Sequence, residues 1–176
     1  NLRTNSIENK NNIEIENISP SSESEVKPET VLMRKFGDEN WDYFTDARII
    51  QKMSSVNTCL QAMVKLLYFN KKHPENHIIR IKNKKEKRIQ VYNGKRWITE
   101  PKMDIIDRII QNIVSKLIDK WESEFEEKAT PFRYNLWVTK VKILVDGKDS
   151  ERKVILKDAR EKVEIAILDN QEIIKN

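Results

Sequence analysis

The chain has 176 residues, of which 38% are apolar and 35% are charged, and its formal net charge is +5. This length is enough for one domain with a buried core. Cys59 is the only cysteine, which excludes an intrachain disulfide and a cysteine-built metal site and favours a reducing compartment. The sequence has no signal-peptide pattern and no apolar run near the roughly twenty residues of a membrane span. Because it begins with asparagine rather than methionine, we expect further chain upstream.

The positive charge is unevenly distributed along the chain. Residues 71–102 contain eleven lysines and arginines against three glutamates, whereas residues 1–30 contain three basic and six acidic residues. The basic block predicts attraction to phosphates or to an acidic partner, although a solvated lysine-rich face would have the same composition.

The N-terminal quarter of the chain changes sharply in composition. Residues 1–30 are rich in Asn, Ser and Glu and cannot offset the entropy lost on ordering. We predict a disordered or extended leader there, followed by a single domain over 31–176. Alternatively, IEIENI in the leader alternates like a strand and could add to a sheet edge. In residues 31–44 we predict an aromatic lid on the core or, alternatively, a base-stacking platform, formed by Phe36, Trp41, Tyr43 and Phe44.

A helix is predicted from Thr45 onward, where Thr45 or Asp46 can cap the free N–H groups. Apolar residues then recur at alternating spacings of four and three, which is the pattern of a heptad seam. The seam predicts a helix that faces the core of its own domain or, alternatively, a surface along which a homodimer or a protein partner pairs. Its members are Ile49, Met53, Val56, Leu60, Met63 and Leu67.

Three strand-like runs with alternating apolar residues follow over residues 77–99. A turn over residues 83–86 joins the first two runs. Asn93-Gly94 joins the last two and is the signal of a type I′ hairpin, in which both central residues need positive φ. A small sheet is not stable alone, so its apolar face must pack on the flanking helices. That predicted face consists of Ile79, Ile81, Ile89, Val91 and Trp97 or Ile98.

The second half of the chain is predicted to be mainly helical. Thr-Glu-Pro at residues 99–101 predicts the start of a long amphipathic helix with proline in its first turn. Residues 132–146 fit a helix and a strand equally well, and the run from Val154 to Ile174 predicts a closing helix. The expected fold class is α+β, a small antiparallel β-meander packed against two long amphipathic helices, with a C-terminal helix.

No set of residues predicts catalysis. His73 and His77 are the only histidines, and Pro74 between them predicts a loop without the second ligand cluster that a tetrahedral metal site needs. The three glycines are isolated and form no phosphate-binding loop. Cys59 lies on the helix stripe and is interpreted as a core residue. We therefore predict a non-enzymatic protein with no metal, no cofactor and no small-molecule substrate.

The strongest functional feature is a group of basic residues on and around the two predicted turns, close to Tyr92 and Trp97. Such residues can contact nucleic-acid phosphates without reading sequence, and a two-stranded ribbon can enter a major groove. The pattern matches no defined nucleic-acid-binding motif. We predict nucleic-acid binding, or alternatively a dimerisation or protein-interaction module. The eight basic residues are Arg80, Lys82, Lys84, Lys85, Lys87, Arg88, Lys95 and Arg96.

Several segments also carry a family resemblance. FNKKHPENHIIRIKN, VYNGKRW and VEIAILDNQEII resemble a carboxy-terminal module of uncharacterised proteins of large eukaryotic DNA viruses. The likeness covers residues 58–175 and departs at Leu168-Asp169-Asn170, where the family pattern has Tyr in the middle. It implies an intracellular viral protein, in host cytoplasm, viral factory or virion, whose module is appended to a nucleic-acid-binding unit, and it implies no activity. The matching residues are Phe69, Asn70, His73, Pro74, Glu75, Asn76, His77, Tyr92, Gly94 and Trp97.

Overall fold

A computed structural model describes residues 31–53, 55, 58–147 and 149–174. The predicted leader over residues 1–30 lies outside the described residues, and contacts group the chain from Val31 onward into one unit. The helices are α1 (Asp46–Met53), α2 (Cys59–Tyr68), α3 (Lys102–Glu124), α4 (Pro131–Trp137), α5 (Ile143–Asp146) and α6 (Asp149–Asn170). The strands are β1 (Ile79–Arg80), β2 (Arg88–Tyr92) and β3 (Trp97–Pro101). The predicted α+β class with a C-terminal helix is confirmed.

The three strands form an antiparallel meander in the order β1-β2-β3. Ile79 pairs with Val91, which in turn pairs with Ile98, so alternation places these three side chains on one face. Ile79 and Val91 are buried and Ile98 is partly buried against the core. The predicted apolar face is therefore correct with Ile98, because the register puts Trp97 beside Tyr92 on the opposite face.

The β2–β3 hairpin is not the predicted type I′ turn. Tyr92 pairs with Trp97, which leaves a four-residue loop, and Gly94 has a φ of +91° whereas Asn93 does not have a positive φ. The Asn93 side-chain oxygen instead accepts hydrogen bonds from the N–H groups of Lys95 and Arg96, at 3.0 and 2.9 Å. Asparagine commonly stabilises turns by bonding to nearby backbone in this way.

The structure has two helices where the sequence predicted one from Thr45, because α1 ends at Met53 and α2 begins at Cys59. Between them the Ser55 carbonyl accepts a hydrogen bond from the Thr58 N–H at 3.0 Å, and the two hydroxyls lie 2.9 Å apart. Serine and threonine that bond locally compete with the helical hydrogen-bond pattern. The heptad spacing therefore continues through a segment that is not a continuous helix.

The predicted seam faces the protein's own core. Helix α2 packs against α3 and α6, and Val56 lies outside the described residues. The described seam residues are buried in the core of their own domain, as the first of the two predictions expected. They therefore do not form an exposed surface for a homodimer or a protein partner. The other five members are all buried: Ile49, Met53, Leu60, Met63 and Leu67.

Helix α3 begins later than the sequence predicted. Thr99 and Glu100 belong to β3, where they pair with Gln90 and Ile89, and Pro101 ends the strand. The helix then buries a broad apolar face between the sheet, α2 and α6. Among the described helices, none has a segment that is both long and apolar enough to cross a bilayer.

Residues 132–146, for which the sequence fitted a helix and a strand equally well, are helical. Helix α4 continues through a π turn at Val138–Lys142 into α5. Trp137, Val141 and Leu144 are buried, which is the spacing of a helix face. A strand would instead have buried Thr139 and Val145, and both are exposed.

Two polar side chains join distant parts of the fold. In the C-terminal turn (Gln171–Ile174), buried Gln171 accepts a hydrogen bond from the backbone N–H of Ile81 at 3.0 Å. At the start of α3, the Lys102 ammonium donates to Glu164 of α6 at 2.8 Å and to the Lys84 carbonyl at 3.0 Å. The C-terminal turn and α6 thereby fix the two ends of the segment that carries most of the basic residues.

Candidate nucleic-acid interface

The face of the sheet that points away from the core is polar and aromatic. The strand register places Arg80, Gln90 and Thr99 side by side, with Tyr92 and Trp97 as the next pair along the strands. We call this surface the outer face. It consists of Arg80, Arg88, Gln90, Tyr92, Trp97 and Thr99.

Arg80 is held in a defined orientation at the middle of the outer face. Its guanidinium carbon lies 4.1 Å from the centroid of the Trp97 ring, and its Nε donates to the Gln90 side-chain oxygen at 2.8 Å. The Trp97 ring in turn meets Tyr92 edge to face, with centroids 5.9 Å apart. A guanidinium over an indole face is electrostatically favourable, so this arrangement restricts the arginine before any ligand arrives.

All eight basic residues predicted for binding are exposed. Within the part of the chain that the structure describes, none of them forms an ion pair with a carboxylate. By contrast, Lys102 in the same basic block is buried and paired with Glu164. The eight exposed cations are therefore not held in ion pairs with acids of the described chain.

The basic residues were predicted as one group around two neighbouring turns, but the structure divides them into two groups. In a meander the β1–β2 and β2–β3 turns lie at opposite ends of the shared strand, and five-residue β2 spans about 17 Å. Arg80 lies on the outer face between the two groups. One end carries Lys82, Lys84, Lys85, Lys87 and Arg88, and the other carries Lys95 and Arg96.

Two recesses adjoin on the outer face. The first recess has a volume of about 750 Å³ and is lined by Arg80, Lys82, Arg88 and Gln90, among others. The second recess, of about 770 Å³, is lined by Arg80, Trp97, His77 and Lys71 among others. The C-terminal turn contributes Ile174 to both. Sequence reasoning missed this wall, because nothing local links it to a strand about ninety residues earlier.

The aromatic entry segment packs as a lid. Phe36 and Phe44 are buried, while Trp41 and Tyr43 are partly buried against the core. The Trp41 and Phe44 ring centroids are 4.9 Å apart, and those of Tyr43 and Phe44 are 4.7 Å apart. These packed rings do not form the base-stacking platform that was the alternative.

The His-Pro-Glu-Asn-His motif fastens that lid to the domain. Asn76 is fully buried, and its side chain bonds both backbone groups of Asn40 and the Tyr43 hydroxyl. The His73 ring stacks on Tyr43 with centroids 3.5 Å apart, and His77 Nε2 lies 3.0 Å from the Asn70 carbonyl oxygen. In the described chain no three His, Cys, Asp or Glu side chains converge as a metal site.

The burial of one histidine in this motif predicts that folding is sensitive to pH. Burial lowers the pKa of His77 from its ordinary value of 6.5, although the Asn70 carbonyl and Glu75 favour its charged form. The unfolded chain therefore binds this proton more readily, so stability falls as the pH drops from 6.5 toward the folded-state pKa. We expect thermal melts between pH 7.5 and 5.5 to show a smaller loss of Tm for His77→Gln than for wild type. A His73→Gln control that flattens the profile equally would contradict this assignment.

No protein-family model, curated protein or solved structure matches this chain. Fold and site together define it as an α+β protein whose small sheet presents a basic and aromatic outer face. The resemblance to the viral module stays a prediction.

Proposed function

We propose that the protein binds nucleic acid, without catalysing a reaction on it, through the outer face and the turns at both ends of β2. The observation that supports this most directly is the exposure of all eight basic residues without ion-pair partners among the described residues. Exposed lysines and arginines attract phosphates and release the condensed counterions of a nucleic acid, which supplies affinity without sequence readout.

The geometry favours an extended polyanion over a single anion. The two basic turns are about 17 Å apart along β2, so one small anion cannot contact both. A nucleic-acid backbone carries charges at regular short intervals and can neutralise both groups at once. Arg80 lies between the groups, on the path that such a backbone would follow.

A charge-removal variant tests the proposal. Replacing Lys84, Lys85, Lys87 and Arg88 by Gln is expected to lower affinity for mixed-sequence DNA and RNA at least tenfold. The negative slope of log affinity against log salt should become shallower by about 3, because four phosphate contacts are lost. Fluorescence anisotropy of labelled oligonucleotides over a salt series measures both quantities, with circular dichroism to confirm folding.

The matched control removes the same charge elsewhere. Lys116, Lys140, Lys153 and Lys157 are exposed and lie outside the outer face and its turns, so replacing them by Gln should leave affinity and slope nearly unchanged. If both variants lose affinity equally, net charge alone explains the loss, and the proposal is overturned. Binding to polyglutamate but not to nucleic acid would assign the basic surface to an acidic protein instead.

A further inference from the structure

We propose that the ligand of the outer face is a single strand of nucleic acid, with unpaired bases in the two recesses on either side of Arg80. This inference rests on the proposed function and names its substrate class. DNA and RNA share the required chemistry of stacking bases and a phosphate backbone, and comparing oligo-dT with oligo-rU separates them.

The recesses have the arrangement of sites for successive bases. Each is an open hollow of about 750 to 770 Å³, which leaves ample room for a base. They share Arg80 and Ile174, so two groups bound in them would be neighbours. A duplex keeps its bases paired and stacked inside, and therefore presents mainly its backbone and grooves to a protein.

Arg80 offers a fixed plane on which a base can stack. One face of the guanidinium lies over Trp97, and Gln90 fixes its Nε. Arg80 is exposed, and a base stacked on the guanidinium opposite Trp97 would extend this stack. Bases of single strands commonly stack on arginine planes and on aromatic side chains. A plane that is already restrained loses less conformational entropy on binding than a free side chain would.

Basic residues border both recesses. Arg80, Lys82 and Arg88 outnumber Glu86 in the lining of the first recess, and Lys71 and Arg80 outnumber Glu172 in the second, so phosphates would be attracted to the edges of both. The unpaired cations lie mainly in the turns at the two ends of β2. A strand running along β2 would thus contact the basic turns with its phosphates and turn its bases toward Arg80. Positive residues along a path, interrupted by stacking groups, are the usual arrangement for single-strand binding.

The test compares a single strand with a duplex and changes the shape of Arg80 without its charge. Anisotropy is measured for the full chain with fifteen-nucleotide oligo-dT, oligo-rU and a fifteen-base-pair DNA duplex at one salt concentration. We expect at least one single strand to bind about tenfold or more tighter than the duplex. Arg80→Lys should weaken single-strand binding about fivefold or more, which corresponds to one lost stacking contact. The salt slope should not change, because the charge is kept.

The control is Arg133→Lys, which makes the same exchange at an exposed position of α4, away from the sheet, and should change affinity less than twofold. Tighter binding of oligo-dT would assign the site to DNA, and tighter binding of oligo-rU would assign it to RNA. Equal or tighter duplex binding, or an Arg80→Lys variant that matches Arg133→Lys, would overturn the single-strand inference while leaving the proposed function intact. Failure of all three oligonucleotides to bind would overturn both.

Discussion

Replacing Lys102 by methionine is expected to lower the free energy of unfolding by about 3 kcal/mol. The ammonium lies 2.8 Å from Glu164 Oε1 and 3.0 Å from the Lys84 carbonyl. The two charged side chains are only 10% and 15% exposed. Methionine keeps the apolar stem but leaves the carboxylate and the carbonyl without their donor, and unpaired groups that are mostly buried are costly. Urea unfolding at pH 7 measures the change through the transition midpoint.

A surface ion pair provides the matched control. Lys162 bonds Asp158 one turn away on α6, where the two side chains are 29% and 55% exposed. Lys162→Met should therefore cost no more than about 0.5 kcal/mol. Combining Lys102→Met with Glu164→Leu should recover much of the loss, because no unpaired charge then remains. If Lys102→Met and Lys162→Met lose equal stability, the buried pair does not hold the β1–β2 turn as described.

Asn76→Ala is expected to cost about 3 kcal/mol of folding free energy, from lost hydrogen bonds and a small cavity. Its side chain is 0% exposed. It accepts from the Asn40 N–H at 2.9 Å and donates to the Asn40 carbonyl at 2.8 Å and to the Tyr43 hydroxyl at 3.2 Å. Alanine makes none of these bonds, and it leaves the backbone N–H and carbonyl of partly buried Asn40 without their partner.

Asn83→Ala is the control for this prediction. Asn83 is exposed, and its side-chain oxygen accepts from the Lys85 N–H in a surface turn. Water can replace that bond, so the expected cost is below about 1 kcal/mol. Urea unfolding measures both variants with a shared m-value. A loss for Asn76→Ala no larger than that of Asn83→Ala would show that the lid is not fastened by this side chain.

The sequence predicted those parts of the fold that depend on periodic burial. Alternation identified the inner face of the sheet, and helical spacing identified α3 and α6, because burying one face imposes a period on the chain. The same signal failed at Ser55 and Thr58, where local hydrogen bonds end a helix without disturbing the apolar spacing. The Asn93-Gly94 pair predicted a type I′ turn, which was wrong. The Asn93 side chain instead stabilises a four-residue loop through hydrogen bonds from the Lys95 and Arg96 N–H groups.

The candidate site was predictable in charge but not in shape. Lysine and arginine on short strands and turns are usually exposed, so exposure of the eight basic residues followed from composition. Their division between two ends of β2 follows from strand pairing, and the recesses follow from the C-terminal turn, which Gln171 holds against Ile81. Polar contacts of this kind join residues far apart in sequence and leave no periodic trace. For the same reason the sequence did not predict that the Asn76 side chain bonds the distant Asn40 backbone or that Lys102 is buried.

Three of the four tryptophans define two optical regions, and the fourth, Trp41, lies in the lid. Trp121 and Trp137 stack in the core with ring centroids 4.6 Å apart and planes 8° from parallel. Trp97 lies on the outer face beside Arg80. Near-ultraviolet circular dichroism of the stacked indoles therefore reports whether the core is intact. With Trp41 replaced by Phe, quenching of Trp97 emission reports what occupies the sheet. One unlabelled sample can in this way separate a variant that no longer binds from one that no longer folds.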